Sequence, residues 1–195
     1  MADFGGFVLA GGRSSRMGTD KAFLELDGRT LLARAVDVLR ALTPEVRIVG
    51  PAAKFAAYGP VVEDVYVDRG PLAGIHAALT SSTTELNLML AVDLPLVTES
   101  LLRFLVEQAR VSDAVVTVPR IAGGYQPLCA VYRRAFAPLA RSALDSGKNK
   151  IDALFAATTE RILEESELSR FAFNAAMFQN LNTPEDLRRA FPEKR

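Results

Sequence analysis

Residues 9–21 read LAGGRSSRMGTDK, and the way this stretch leaves the run before it decides the fold. The preceding GFVLA, residues 6–10, is a buried strand by composition. It does not close into a tight turn. It opens into a connection with three glycines, two arginines and a lysine, and about twenty residues pass before a helix begins near Thr30. Gly11 and Gly12 allow positive φ and close approach of backbone to a ligand. Successive N–H groups cradle phosphate oxygens, and Arg16 and Lys21 supply charge. Such a loop at the carboxyl end of a first strand points to an open α/β sheet that binds an anion beyond its strand ends.

The rest of the chain fits that frame. TLLARAVDVLRAL (30–42) is an amphipathic helix with Thr30 near its N-cap. EVRIVG is a strand, AAKFAAYG a short helix, PVVED a short strand, and PLAGIHAALTSS a helix with Pro71 in its first turn. LNLMLAV (86–92) is a continuous apolar run, as expected of a central strand covered on both faces. A helix near 98–110, strands at DAVVTVP and QPLCAVY, and helices near 135–146 and 150–157 follow. RILEE to FQNL is less regular and suits an edge strand or a small subdomain, and a last helix starts at Thr183-Pro184. Strands alternating with helices imply a mostly parallel sheet with helices on both faces, a three-layer α/β/α domain spanning residues 1–195.

Composition excludes several classes. Twenty-three basic residues balance twenty-three acidic ones, so no global charge favours nucleic acid. No apolar run approaches a membrane span, the N-terminus lacks a basic n-region, and a cytoplasmic protein is expected. One cysteine, Cys129, and one histidine, His76, rule out an ordinary zinc site. Cys129 reads as a buried core thiol, and His76 as a helix-flank residue. Neither a P-loop nor a dinucleotide-binding G-x-G-x-x-G follows the first strand.

Other candidates lie where the sheet would present them. Asp93 directly follows the most apolar strand and would open on the same edge as the Gly11 loop, a natural Mg²⁺ ligand when facing phosphates. Asp64 follows a third strand, and Gly74 lies one turn into a helix, where a side chain would block a planar base. In FQNLNTPEDL, Asn180 and Asn182 project on one side of an extended chain.

LAGGRSSRMGTDKAFLELDGRTLL, GPLAGI, DLP, QPLCAVY and NLNTPEDL, in that order from residue 7 to about residue 190, resemble the molybdenum cofactor guanylyltransferase (MobA-type) family. It lies within the Rossmann-like nucleotidyltransferases that activate sugars. The resemblance implies that GTP and molybdenum-bearing molybdopterin give molybdopterin guanine dinucleotide and pyrophosphate, with Mg²⁺. It assigns Leu9, Ala10, Gly11 and Gly12 to guanine and phosphates, Lys21 to phosphates, Asp93 to the metal and Asp64 to the nucleotide. Asn180 and Asn182 fall on the pterin side, as does Lys150, and Arg16 is a functional arginine of the loop. The nucleotide half is then about 1–110 and the acceptor half about 111–195. The implied partners are the two substrates, with transient contact to molybdenum cofactor biosynthesis or recipient proteins.

Two departures stand out. Gly50 occupies a position where some relatives have asparagine, and Lys148 and Lys150 stand where arginine is common. The alternatives are a molybdopterin cytidylyltransferase, a sugar-phosphate nucleotidyltransferase, and a non-catalytic GTP-binding module. Gly-Gly after Leu-Ala favours a purine by resemblance, because cytidylyl relatives usually show Ala-Gly.

Overall fold

The computed structural model describes residues 3–11, 20–181 and Asp186. Ten strands are present among them: β1 (Phe4–Leu9), β2 (Glu25–Leu26), β3 (Arg29–Thr30), β4 (Val46–Val49), β5 (Val61–Val62), β6 (Leu86–Ala91), β7 (Val116–Ile121), β8 (Gly124–Tyr125), β9 (Cys129–Arg133) and β10 (Glu160–Glu164). The α-helices are α1 (Leu31–Arg40), α2 (Ala52–Phe55), α3 (Pro71–Ser81), α4 (Glu99–Arg110), α5 (Ala137–Asp145), α6 (Asp152–Phe155) and α7 (Glu165–Ser169).

The main sheet runs β10-β7-β9-β6-β1-β4-β5, with β8 paired to β7. β1 is parallel to β4 and β6, β4 to β5, and β7 to β10, whereas β9 is antiparallel to both β6 and β7. The sheet is therefore mostly parallel, and the direction of β9 has a simple cause. Only the β8 hairpin and a short turn separate β7 from β9, far less chain than a parallel crossover requires. Because β9 opposes both neighbours, β7 runs with β6. The carboxyl ends of β1, β4, β5, β6, β7 and β10 all open on one edge.

The core has two halves, one on each face. Phe4 and Val8 of β1, with Leu86, Leu88 and Leu90 of β6, pack against α1 and α4. Phe7 and Leu9 of β1, with Met89 of β6, pack against α3, α5 and α6. Every residue of β1 and β6 is buried, as expected of strands covered on both faces. Thr30 caps α1 by accepting from the Ala33 N–H at 3.1 Å, and Thr98 caps α4 by accepting from the Leu101 N–H at 3.3 Å.

Other features refine the sequence reading. The stretch from Lys21 to Thr30 is not all loop: it holds a 3₁₀ turn, Lys21–Phe23, and the β2–β3 hairpin. Asp27 (φ 52°) and Gly28 (φ 72°) turn that hairpin, both with the positive φ that a tight two-residue turn needs. His76 is not a helix-flank residue. α3 is buried from Leu72 to Leu79, and His76 is 8% exposed within it. Cys129 is fully buried, and burial pushes its thiol up to about 12. The irregular stretch supplies the edge strand β10, α7 and a 3₁₀ turn at Ala175–Phe178. The helix expected from Thr183-Pro184 begins outside the described residues. Among the described residues no helix is long and apolar enough to cross a membrane.

Candidate active site

The exit of β1 is held tightly. The N–H groups of Ala10 and Gly11 both donate to the Val49 carbonyl at 3.0 Å, and the Gly50 N–H donates to the Val62 carbonyl at 3.0 Å. The ends of β1, β4 and β5 are thus joined where the chain leaves the sheet. Gly50 has φ 152°, and a Cβ built there would lie 2.7 Å from the ring of the fully buried Phe55. Glycine is required at this position by conformation and by packing. The asparagine of some relatives has no room in this chain.

Asp64, two residues beyond β5, lies between two glycines from different elements. A Cβ on Gly11 would lie 3.8 Å from Asp64 Oδ2, and one on Gly74 of α3 would lie 3.8 Å from Asp64 Oδ1 and 3.6 Å from Leu9 Cδ2. Any side chain longer than alanine at either glycine would cover the carboxylate. Asp64 Oδ1 is buried and meets no hydrogen-bond partner among the described residues. Burial raises the Asp64 carboxyl above the ordinary range. Leu9, Gly11, Asp64 and Gly74 therefore meet in one glycine-walled slot, with Asp64 Oδ1 unpartnered among the described residues.

Beyond the end of β6, Asp93 faces Lys21 at 3.7 Å, with the two side chains 20% and 32% exposed. Burial raises the Asp93 carboxyl, while the Lys21 ammonium and a backbone hydrogen bond pull it partly back. Lys21 begins a 3₁₀ turn capped by Asp20, whose Oδ1 accepts from the Ala22 N–H at 3.2 Å. The late part of the chain also reaches this point. The Leu181 N–H donates to the Asp93 backbone carbonyl at 2.9 Å, and Leu181 itself is fully buried. Asn180, the preceding residue, is exposed beside that junction.

Lys148 and Lys150 are exposed on the connection after α5. No described contact joins them to Asp93. They stand instead near the Asp64 connection: Tyr66 donates to Asp145 Oδ1 at 2.6 Å, and Arg69 approaches Gly147. Gly12, Arg16 and Asn182 lie outside the described residues. The sequence reading missed Asp20, Lys54 and Glu63, which tie the connections together. Lys54 Nζ donates to Asp20 Oδ2 at 2.9 Å, and the Ala52 N–H donates to Glu63 Oε1 at 2.9 Å. An Asp immediately before a short turn was the available signal for the first of these.

A mostly parallel sheet flanked by helices, with polar groups gathered at its carboxyl edge, places the chain among the Rossmann-like nucleotidyltransferases. The model of the MobA-like NTP transferase domain matches residues 6–162, and the chain belongs to this family. It is 35% identical over 187 residues to a probable molybdenum cofactor guanylyltransferase of Pelotomaculum thermopropionicum, covering 95% of this chain and 90% of that one. It is 32% identical to a molybdenum cofactor guanylyltransferase of Desulfosudis oleivorans, covering 95% and 93%. Among solved structures, molybdopterin-guanine dinucleotide biosynthesis protein A from Archaeoglobus fulgidus superimposes with a TM-score of 0.83 at 26% identity, covering 95% of each chain.

Proposed function

We propose that this chain transfers GMP from GTP to molybdenum-bearing molybdopterin, forming molybdopterin guanine dinucleotide and pyrophosphate. The observation that carries the proposal is the pairing, on one sheet edge, of the Gly11–Asp64–Gly74 slot with the Lys21–Asp93 pair. The slot suits a planar base: apolar Leu9 and two glycines bound it, and Asp64 Oδ1 is a buried acceptor without a donor among the described residues. Guanine offers two adjacent N–H donors on one edge, whereas cytosine offers only its amino group there. A base that donates to Asp64 offsets the acid's desolvation.

The pterin's phosphate oxygen attacks the α-phosphorus of GTP, and the bond from that phosphorus to the β-bridging oxygen breaks, releasing pyrophosphate. The attacking oxygen is already anionic near neutral pH, so the residues need not remove a proton. Their task is to hold two anions together and stabilise charge as it moves to the leaving group. Lys21, three donors on a flexible stem, serves the triphosphate as a point charge. Arg16 would add a second cation from the loop.

Asp93 is the residue that would hold Mg²⁺. Its partly desolvated carboxylate meets the Lys21 ammonium at 3.7 Å, and a single protein carboxylate with phosphate oxygens is a common Mg²⁺ donor set. The ion, when bound, would neutralise phosphate charge. Asn180, beside the Leu181–Asp93 junction, and Asn182 and Lys150 are assigned to the pterin acceptor.

Thermal protection tests the base assignment. GTP with Mg²⁺ is expected to raise the melting temperature more than CTP at equal concentration. Stronger protection by CTP would replace guanylyl with cytidylyl transfer.

A further inference from the structure

The four-residue helix α2 joins the two sides of the site through the residues that precede Asp64 and Lys21. At its start, the Ala52 N–H donates to Glu63 Oε1 at 2.9 Å, and Glu63 immediately precedes Asp64. Two residues on, Lys54 Nζ donates to Asp20 Oδ2 at 2.9 Å, and Asp20 immediately precedes Lys21. The same Asp20 carboxylate accepts the Ala22 N–H through its other oxygen, which closes the 3₁₀ turn carrying Lys21. Phe23, at the end of that turn, packs its ring 5.8 Å from Phe55 of α2 and 5.9 Å from Tyr58. The turn is therefore fixed to α2 by an ion pair on one side and by aromatic contact on the other.

We propose that Lys54 is a positioning residue that acts through Asp20 to set the Lys21 ammonium opposite Asp93. The physical case rests on the divided work of one carboxylate. Asp20 is only 17% exposed, so its charge is partly desolvated and the Lys54 ammonium holds it in place. With that charge fixed, Oδ1 stays aligned on the Ala22 N–H, and the backbone direction at Lys21 is set. Without Lys54, Asp20 is freer to turn toward solvent, and the turn, still packed through Ala22 and Phe23, loses its ionic attachment to α2. Lys21 then samples more orientations before it meets a triphosphate, and part of the binding energy goes into ordering it.

This inference rests on the nucleotide role given to Lys21 above, and its test separates the two. Wild type, Lys54→Ala, Lys21→Ala and the double variant form a cycle of four, with Lys54→Arg as a fifth protein beside it. Each is titrated calorimetrically with GTP and, separately, with CTP, and each is assayed for pterin-dependent pyrophosphate release. Lys54→Ala is expected to weaken binding of the preferred nucleotide about threefold to tenfold in the wild-type background and less than twofold in the Lys21→Ala background. Lys54→Arg, which keeps the charge, is expected to restore most of the affinity. Lys54 is itself half-exposed and Asp20 keeps its bond to the Ala22 N–H, so the nucleotide-free melting temperature is expected to fall by no more than a few degrees. An equal loss in both backgrounds, or no loss in either, would overturn the positioning role. A wild type that binds nucleotide but never yields pyrophosphate with pterin would overturn the transfer reading alone, because the four affinities would still decide the role of Lys54.

Discussion

Asp93 and Asp64 do opposite things for activity and for stability. Each ionises near the ordinary carboxylate value in the unfolded chain and at higher pH when folded, because burial penalises the charged form. The folded protein thus holds these protons more tightly than the unfolded one. Stability falls as pH rises between the two values and then stays level, so the nucleotide-free protein bears the full penalty at neutral pH. Asp93→Asn and Asp64→Asn are each expected to raise its melting temperature at pH 7 by roughly 1–4 °C, with the gain shrinking toward pH 3. Calorimetry across that range checks it. Asp93→Asn should at the same time lower turnover by about a hundredfold or more. The acid limb of kcat/KM in the wild type should fall at higher pH than an ordinary carboxylate would give. A destabilised Asp93→Asn protein at pH 7 would show that the carboxylate serves the fold.

At the scale of elements, what the sequence displayed was periodicity and position. Asp93 was identifiable because the strand before it is almost wholly apolar, and Thr30 because caps have a local chemistry. Contacts between distant connections had no such signal. Gly50 stood out in the sequence as a departure from relatives with asparagine, and the fold demands it: the Phe55 ring stands 2.7 Å from the missing Cβ. Gly50→Asn is therefore expected to destabilise the protein by about 2–4 kcal/mol through strain and overpacking, measured by urea unfolding. The β2–β3 hairpin was written in Asp27-Gly28 but masked by a loop-like composition around it. His76 looked peripheral because a polar side chain in a helix usually is, but it lies in the buried run of α3, with the Tyr66 ring 5.3 Å away and Thr80 Oγ1 3.4 Å from its Nε2. Lys148 and Lys150 followed a family pattern rather than a contact, and they stand exposed. If they and Asn180 serve the acceptor, Asn180→Ala and Lys150→Ala should each lower pterin use about tenfold to a hundredfold and leave GTP affinity within twofold. Saturation curves in pterin at fixed GTP, beside GTP calorimetry, would measure the split.

For the whole molecule, one sheet edge collects groups from positions far apart in the chain. Residues 9–93 supply the slot and the charged pair, and the chain returns at Leu181 to close against the Asp93 backbone. A fold of this kind brings a nucleotide and an acceptor together without a nucleophilic side chain, since the substrates provide both the attacking and the leaving oxygens. Its activity must then depend on both ligands at once. Pyrophosphate release should be followed for the wild-type protein with Mg²⁺, with GTP or CTP, and with or without molybdenum-bearing molybdopterin. Release should occur with GTP and pterin together and stay at background with either alone or with CTP. Release from GTP that is indifferent to pterin, or pterin-dependent release from CTP in preference to GTP, would contradict guanylyl transfer.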